Sequence, residues 1–191
     1  MSKMQYYRLI TDGGPKRGKD IIARPRIEVE DTHIVKKGIL INNWNNDMVF
    51  EYDPKEGNVA IEFLCCVYCW DIFSEKAVKL LGDLISSDIQ LLPIRVVNRD
   101  SDLEIEKYFV VNVLPHLDAL DLENSVYSYL DVGDEKRLSV KKYAIKEEKI
   151  GNHHIFRLKS SPFSIFVSEE FYKIAKKNKM RGYEFVKVKA S

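Results

Sequence analysis

The sequence predicts an α+β domain with a mostly antiparallel or mixed sheet and two helix–strand units packed on it. Three observations carry that prediction. First, short β-branched and aromatic runs recur without clean polar alternation, residues 90–97 and 108–114 foremost, as strands buried on both faces do. Second, two stretches carry an apolar period of 3.6 residues, and each opens on Ser-Glu straight after an apolar run. Third, each helix leads into a further strand. Ile72-Phe73-Ser74-Glu75, helix, Ile89-Gln90-Leu91-Leu92 shares its plan with Phe166-Val167-Ser168-Glu169, helix, Tyr183-Glu184-Phe185-Val186. A chain of 191 residues suits one such domain, with residues 1–70 open to reading as a small β-rich N-terminal subdomain.

Taken in order, Tyr6-Tyr7-Arg8-Leu9-Ile10 predicts a first strand, ended by the turn Asp12-Gly13-Gly14-Pro15. No apolar core with a small-residue cleavage site precedes it, so a first strand is expected rather than a signal peptide, and a cytoplasmic location with it. Residues 16–26 are basic and loop-like, and residues 35–41 hold a second candidate strand. A polar loop, Asn42-Asn43-Trp44-Asn45-Asn46-Asp47, follows; Trp44 is expected to fold back onto the core rather than stand out as a contact. Met48-Val49-Phe50-Glu51-Tyr52 resumes the extended pattern up to Asp53-Pro54.

Ser74 is placed to cap a helix, with Glu75 complementing its positive end and Ala77, Val78, Leu80, Leu81, Leu84 and Ile85 forming one apolar face. Pro93 lacks an amide hydrogen and belongs at an edge, an end or a bulge of the strand that follows. Residues 98–107 read as a charged turn and residues 117–125 as a short strand or turn. Val126-Tyr127-Ser128-Tyr129-Leu130 alternates, which sets Tyr127, Tyr129 and Asp131 on one face and Val126, Ser128 and Leu130 on the other. Gly133-Asp134 turns the chain, and Tyr143-Ala144-Ile145 starts a strand or helix. His154-Ile155-Phe156-Arg157-Leu158 is a strand, Ser160-Ser161-Pro162 a turn and Ser164-Ile165-Phe166-Val167 another strand. Ser168 opens the second helix, with Phe171, Ile174 and Ala175 inward and Gly182 closing it before a last alternating strand.

The net charge of +1 conceals an asymmetry. Residues 1–26 carry seven bases and two acids, residues 27–135 eight and twenty-two, and residues 136–191 fifteen and five. Between Tyr108 and Glu135 there is no Lys or Arg, but there are Asp118, Asp121, Glu123, Asp131, Asp134 and Glu135. Either acidic and basic faces intermix on folding, or an acidic patch steers a basic partner. Nucleic acid is a poor partner for such a patch, because phosphates need Lys and Arg. No run approaches the length of a membrane-spanning helix.

Chemistry is thinly represented. Cys65, Cys66 and Cys69 form one apolar cluster with no second Cys or His pair at zinc-finger spacing, so they read as buried thiols acting as small hydrophobes. No Gly-x-Ser-x-Gly, P-loop, Gly-x-Gly-x-x-Gly or His-Glu-x-x-His motif occurs. His153-His154 is the only histidine pair. Neighbours on a strand face opposite ways, so one is expected inward and hydrogen-bonded, the other solvated. The rival to a binding protein is a small metal-dependent hydrolase using His153 or His154 with Asp118 or Asp121. A general interaction module is the third reading.

One ordered series of segments goes further. Tyr6-Tyr7-Arg8, Phe73-Ser74-Glu75-Lys76 and Asp88-Ile89-Gln90-Leu91-Leu92-Pro93 come first, then Tyr108-Phe109-Val110-Val111-Asn112-Val113 and Leu117-Asp118-Ala119-Leu120-Asp121. Gly151-Asn152-His153-His154-Ile155-Phe156-Arg157 and Val167-Ser168-Glu169 complete it. The series resembles a bacterial immunity protein family of polymorphic toxin systems, the eleventh numbered class, formerly a domain of unknown function. The resemblance implies a protein without catalytic residues, metal or cofactor that binds one cognate toxin and blocks its active site or substrate path. The acidic middle then suits a basic toxin, held through a charge-steered interface with aromatic anchors. Asp118, Asp121, Tyr127, Tyr129, Asp131 and Asp134 are the residues assigned to that interface, against the plainer reading of the tyrosines as ordinary packing or a solvated hairpin.

Overall fold

A computed structural model describes residues 4–11, 19–133 and 135–191, and among them fourteen strands and two α-helices. The first part of the chain gives β1 (Tyr6–Thr11), β2 (Ile22–Pro25), β3 (Val49–Tyr52), β4 (Phe63–Cys66), β5 (Ile72–Ser74), α1 (Glu75–Ile85), β6 (Ile89–Asn98) and β7 (Tyr108–Val113). The second part gives β8 (His116–Leu117), β9 (Val126–Val132), β10 (Glu135–Lys142), β11 (Ala144–Ile145), β12 (Ile155–Leu158), β13 (Ser161–Ser168), α2 (Glu169–Lys177) and β14 (Tyr183–Ala190). The fold is α+β with mixed and antiparallel pairing, as the sequence predicts. No helix among the described residues is long and apolar enough to cross a membrane.

The strands sort into three groups. β2-β3-β6-β7-β5-β4 close a small barrel whose interior holds Ile21, Phe50, Ile72, Leu92, Val96 and Val110. β11-β14-β1-β13-β12-β8 form a six-stranded sheet, and β9 and β10 pair with each other. One sheet face, through Leu9, Ile155, Ile165 and Val167, packs with α1 and α2 against Phe63, Phe73 and Val111 of the barrel. The opposite face buries Tyr6, Phe156, Phe166 and Val188 against Leu117, Ala119, Leu120, Tyr143, Ile145 and Ile150.

Both helix–strand units repeat one topology. β5 and β6 each run antiparallel to β7, so they are parallel to each other with β7 between them. β13 and β14 each run antiparallel to β1, so they are parallel with β1 between them. In each unit the serine that ends the first strand caps the helix: Ser74 Oγ accepts from the Ala77 amide and Ser168 Oγ from the Phe171 amide. α1 turns Ala77, Leu81 and Ile85 inward and leaves Leu80 exposed; α2 buries Phe171 and Ala175.

Several elements depart from the expected pattern. Residues 35–41 form no strand: a single 3-10 turn (Ile34–Lys36) buries Val35 and Lys36, and Gly38 follows at φ +67°, outside the extended region. A Cβ on Gly38 would lie 2.5 Å from the His116 ring of β8, so any side chain there would have to displace that ring, at a backbone angle that favours glycine. Pro162 lies inside β13 rather than in a turn. A register shift at Arg157 and Leu158 accommodates it, and its carbonyl accepts from Arg157. α2 ends at Asn178 and Lys179 (φ +53°), not at Gly182. Gly182 instead lets the chain pass against Phe63, whose carbonyl oxygen is 1.9 Å from where a Cβ would stand. Pro93 lies mid-strand in β6 but on an edge there, one of the places expected for it: it pairs with Phe109 of β7 on one side, β3 joins the other side only from Arg95 onward, and its carbonyl accepts from Trp44 Nε1 at 2.9 Å. Trp44 folds back accordingly, with its ring 5.8 Å from that of Trp70.

Candidate interaction surface

β9 and β10 form a ribbon whose strands pair only with each other among the described residues. Gly133 at φ +61° supplies the backbone of its tight turn. Residues directly opposite in an antiparallel ladder share a face. The register pairs Tyr127 with Val140, Tyr129 with Leu138 and Asp131 with Lys136, so these six lie together, as the alternation of β9 predicts. The Tyr127 and Tyr129 rings meet edge to face at 5.9 Å. Val126, Leu130 and Val132 line the other face. All five large apolar side chains of β9 are exposed, from 38% at Tyr127 to 57% at Tyr129. A lone two-stranded ribbon is marginal in water. This one is tied down at its base, where the Ala144 amide donates to Ser125 Oγ at 2.9 Å and Lys189 Nζ donates to Asn124 Oδ1.

The ribbon is not an acidic patch. β10 brings Lys136, Arg137, Lys141 and Lys142 alongside Asp131 and Glu135, so acid and base intermix there. The imbalance survives elsewhere: residues 20–113, which hold the barrel, carry seventeen acids and ten bases, and residues 114–191 carry eleven acids and fifteen bases.

The remaining assigned residues scatter. Asp118 is exposed just past β8. Asp121 is buried: its Oδ1 accepts from the Glu123 and Asn124 amides and its Oδ2 from Asn124 Nδ2 at 2.7 Å. Hydrogen bonds from Ser191 and Asn124 hold its carboxyl below the usual carboxylate range. Those bonds make it a turn-builder with its oxygens engaged inside the protein. Asp134 and the turn Asp12-Gly13-Gly14-Pro15 lie outside the described residues.

Both histidines of the pair are engaged. His153 Nδ1 meets Asp88 Oδ1 at 2.6 Å, and Asp88 Oδ2 accepts the His154 amide, which latches the end of α1 to β12. His154 Nδ1 meets Ser168 Oγ at 2.9 Å. Ser168 is fully buried and caps α2, so it is no free nucleophile. The register of β8 on β12 puts Asp118 level with Lys159, five residues along the strand from His154, or about 16 Å at ~3.3 Å per residue. The structure therefore does not assemble His154 with Asp118, and Asp121 is engaged in its own turn. Among the described residues no group of three His, Cys, Asp or Glu side chains is placed to hold a metal ion.

Cys66 is buried, and burial pushes its thiol up to about 11. Cys65 is half-buried and raised for the same reason. Cys69 differs from the expected buried thiol: it is exposed, at φ +52°, in the turn its amide closes onto the Cys66 carbonyl.

One buried polar group escaped sequence reading. Arg157 on β12 is fully buried; its Nη2 donates to Asp71 Oδ2 at 2.6 Å and its Nη1 to the Pro162 carbonyl. Tyr183 of β14 donates to Asp71 Oδ1 at 2.6 Å, so one carboxylate from the loop before β5 joins the barrel to two strands of the sheet. Burial, then Asp71, holds the Tyr183 phenol well above its ordinary value. Lys36 lies close by, its ammonium pushed down by burial against the pull of Asp71.

Comparison with known proteins follows the same outline. No curated protein matches the chain. A family model described as Immunity protein family (Imm11) matches residues 8–190, which takes in the barrel, the sheet, both helices and the ribbon. The chain belongs to the Imm11 immunity protein family.

Proposed function

We propose that this protein binds a cognate protein toxin and neutralises it by covering the toxin's active site or substrate path, with the β9–β10 ribbon as the main contact. The observation that carries the reading is the ribbon: five exposed apolar side chains on one strand, two of them tyrosines in edge-to-face contact. Tyrosine supplies large contact area with little rotamer entropy to lose, and a ribbon that exposes apolar side chains on both faces offers each face as a contact. Tyr127, Tyr129 and Asp131 are the central contacts in this reading. Asp118 lies nearer the ribbon's base, and Asp134 joins by its place in the sequence. Occlusion needs no catalytic group, metal or cofactor. In this reading the neutralisation takes place in the cytoplasm.

The test is co-expression with the toxin encoded beside this gene. Cells carrying the wild-type chain should grow, and cells carrying the Tyr127→Ala/Tyr129→Ala chain at equal abundance should lose that protection. Death of cells despite the wild-type chain would end the proposal.

A further inference from the structure

Beside the barrel, a groove of about 370 Å³ opens between residues 27–34 and the loop at 41–49. Its wall is apolar, with Ile34, Ile41, Trp44 and Met48, and Ile27 at its lip is 71% exposed. Glu28, Glu30 and Asp31 also line it, and no Lys or Arg does. Asp31 is paired with Lys37, whereas Glu28 and Glu30 have no ion-pair partner among the described residues. The Trp44 N–H is occupied by the Pro93 carbonyl, so the indole meets the groove as an apolar, π-rich wall.

We infer that this groove receives a cationic side chain, arginine foremost, presented by the partner protein; the inference rests on the reading of the chain as a toxin binder. The complementarity is twofold. A long basic side chain lays its apolar stem along apolar surface and keeps its charged head at the rim. The head then meets two carboxylates that have no ion-pair partner among the described residues, and a guanidinium over an indole face gains further. A glutamate or aspartate side chain is repelled, and a leucine offers the two carboxylates no positive charge. The preference for a basic partner, expected from residues 108–135, is thereby moved to the barrel, where the acid excess lies.

The chain has two tryptophans, Trp44 and Trp70, and hence two indole N–H signals to resolve by ¹⁵N NMR, assigned with a Trp44→Phe variant. The full chain is titrated with Ac-Gly-Arg-Gly-NH2, Ac-Gly-Leu-Gly-NH2 and Ac-Gly-Glu-Gly-NH2. The arginine peptide should move the Trp44 signal saturably, with millimolar affinity, and leave Trp70 in place. The Glu28→Gln/Glu30→Gln variant should bind the arginine peptide roughly tenfold more weakly. A Trp44 signal that ignores the arginine peptide, or follows the leucine or glutamate peptide equally, overturns the inference. If the wild-type chain protects cells while ignoring the arginine peptide, the groove falls and immunity stands. If it binds the peptide yet fails to protect, the groove stands and the neutralisation reading falls.

Discussion

Replacing Asp71 by Asn tests how the two halves of the molecule are joined. Asn keeps the size and one carbonyl oxygen but removes the only carboxylate bonded to Arg157 among the described residues, and the Arg157 guanidinium is fully buried. A buried ion left without its partner costs about 3–5 kcal/mol, because the desolvation of the remaining charge is no longer offset. The same substitution weakens the Tyr183 hydrogen bond, which now runs to a charged acceptor at 2.6 Å. Tyr183→Phe alone should cost about 1.5–3 kcal/mol, the range for a hydrogen bond to an ion. A domain of ordinary stability has about 5–15 kcal/mol in total, so Asp71→Asn removes a large share. At about 2–4 °C per kcal/mol for this size, the melting temperature should fall by roughly 6–20 °C. Urea unfolding, with the slope checked for constancy, gives the free energy. Asp71→Asn/Arg157→Met should recover most of the loss, since the buried cation that lost its partner is gone and the amide oxygen at position 71 can still accept from the Tyr183 hydroxyl. Asp71→Asn within about 1 kcal/mol of wild type, the worth of a surface pair, would refute the reasoning.

Three further outcomes follow from the same packing. Burial, then the neighbouring Arg157, lowers the folded-state proton affinity of His116 below its ordinary value. The unfolded chain therefore takes up that proton near pH 6.5 and the folded chain only at lower pH. His116 thus contributes stability above that pH which is lost on acidification, and thermal melts from pH 7.5 to 5 should show a fall that His116→Phe flattens; identical profiles would contradict this. Iodoacetamide at pH 8 should label exposed Cys69 and spare Cys66 until denaturant is added, as read by mass spectrometry; equal labelling of both in the folded chain would contradict the placement. Gly182→Ala puts a methyl group into the Phe63 carbonyl at φ +111° and should destabilise by more than about 2 kcal/mol in the same urea assay, while Gly133→Ala, with open space around it, should cost less.

The helices were legible because their signals are local. Ser74-Glu75 and Ser168-Glu169 announce caps, and the 3.6-residue period of each following stretch survives in what it buries. The face shared by Tyr127, Tyr129 and Asp131 was legible for the same reason, since strand alternation is a two-residue rule. Barrel closure was not legible. It rests on the parallel pairings of Ile22 with Cys65 and Val49 with Arg95, which no turn connects and no local period encodes. β10 was missed because Leu138 and Val140 are its only apolar residues; its strand character comes from β9 beside it. The pairing also sets the bases of β10 beside the acids of β9, which a count along residues 108–135 does not contain. Asp121 looked like one more surface carboxylate until its turn closed around it, and Asp71 finds Arg157 across 86 residues.

Binding of the purified toxin to the purified chain, measured by calorimetry with and without the ribbon's tyrosines, bears most directly on the central claim. Occlusion through β9 and β10 predicts a tight one-to-one complex with wild type. It also predicts affinity at least a hundredfold weaker for Tyr127→Ala/Tyr129→Ala, as two anchors at about 1.5–2 kcal/mol each imply, with the variant folded and equally stable. Undiminished affinity in that variant, or no complex with the wild-type chain, would contradict it.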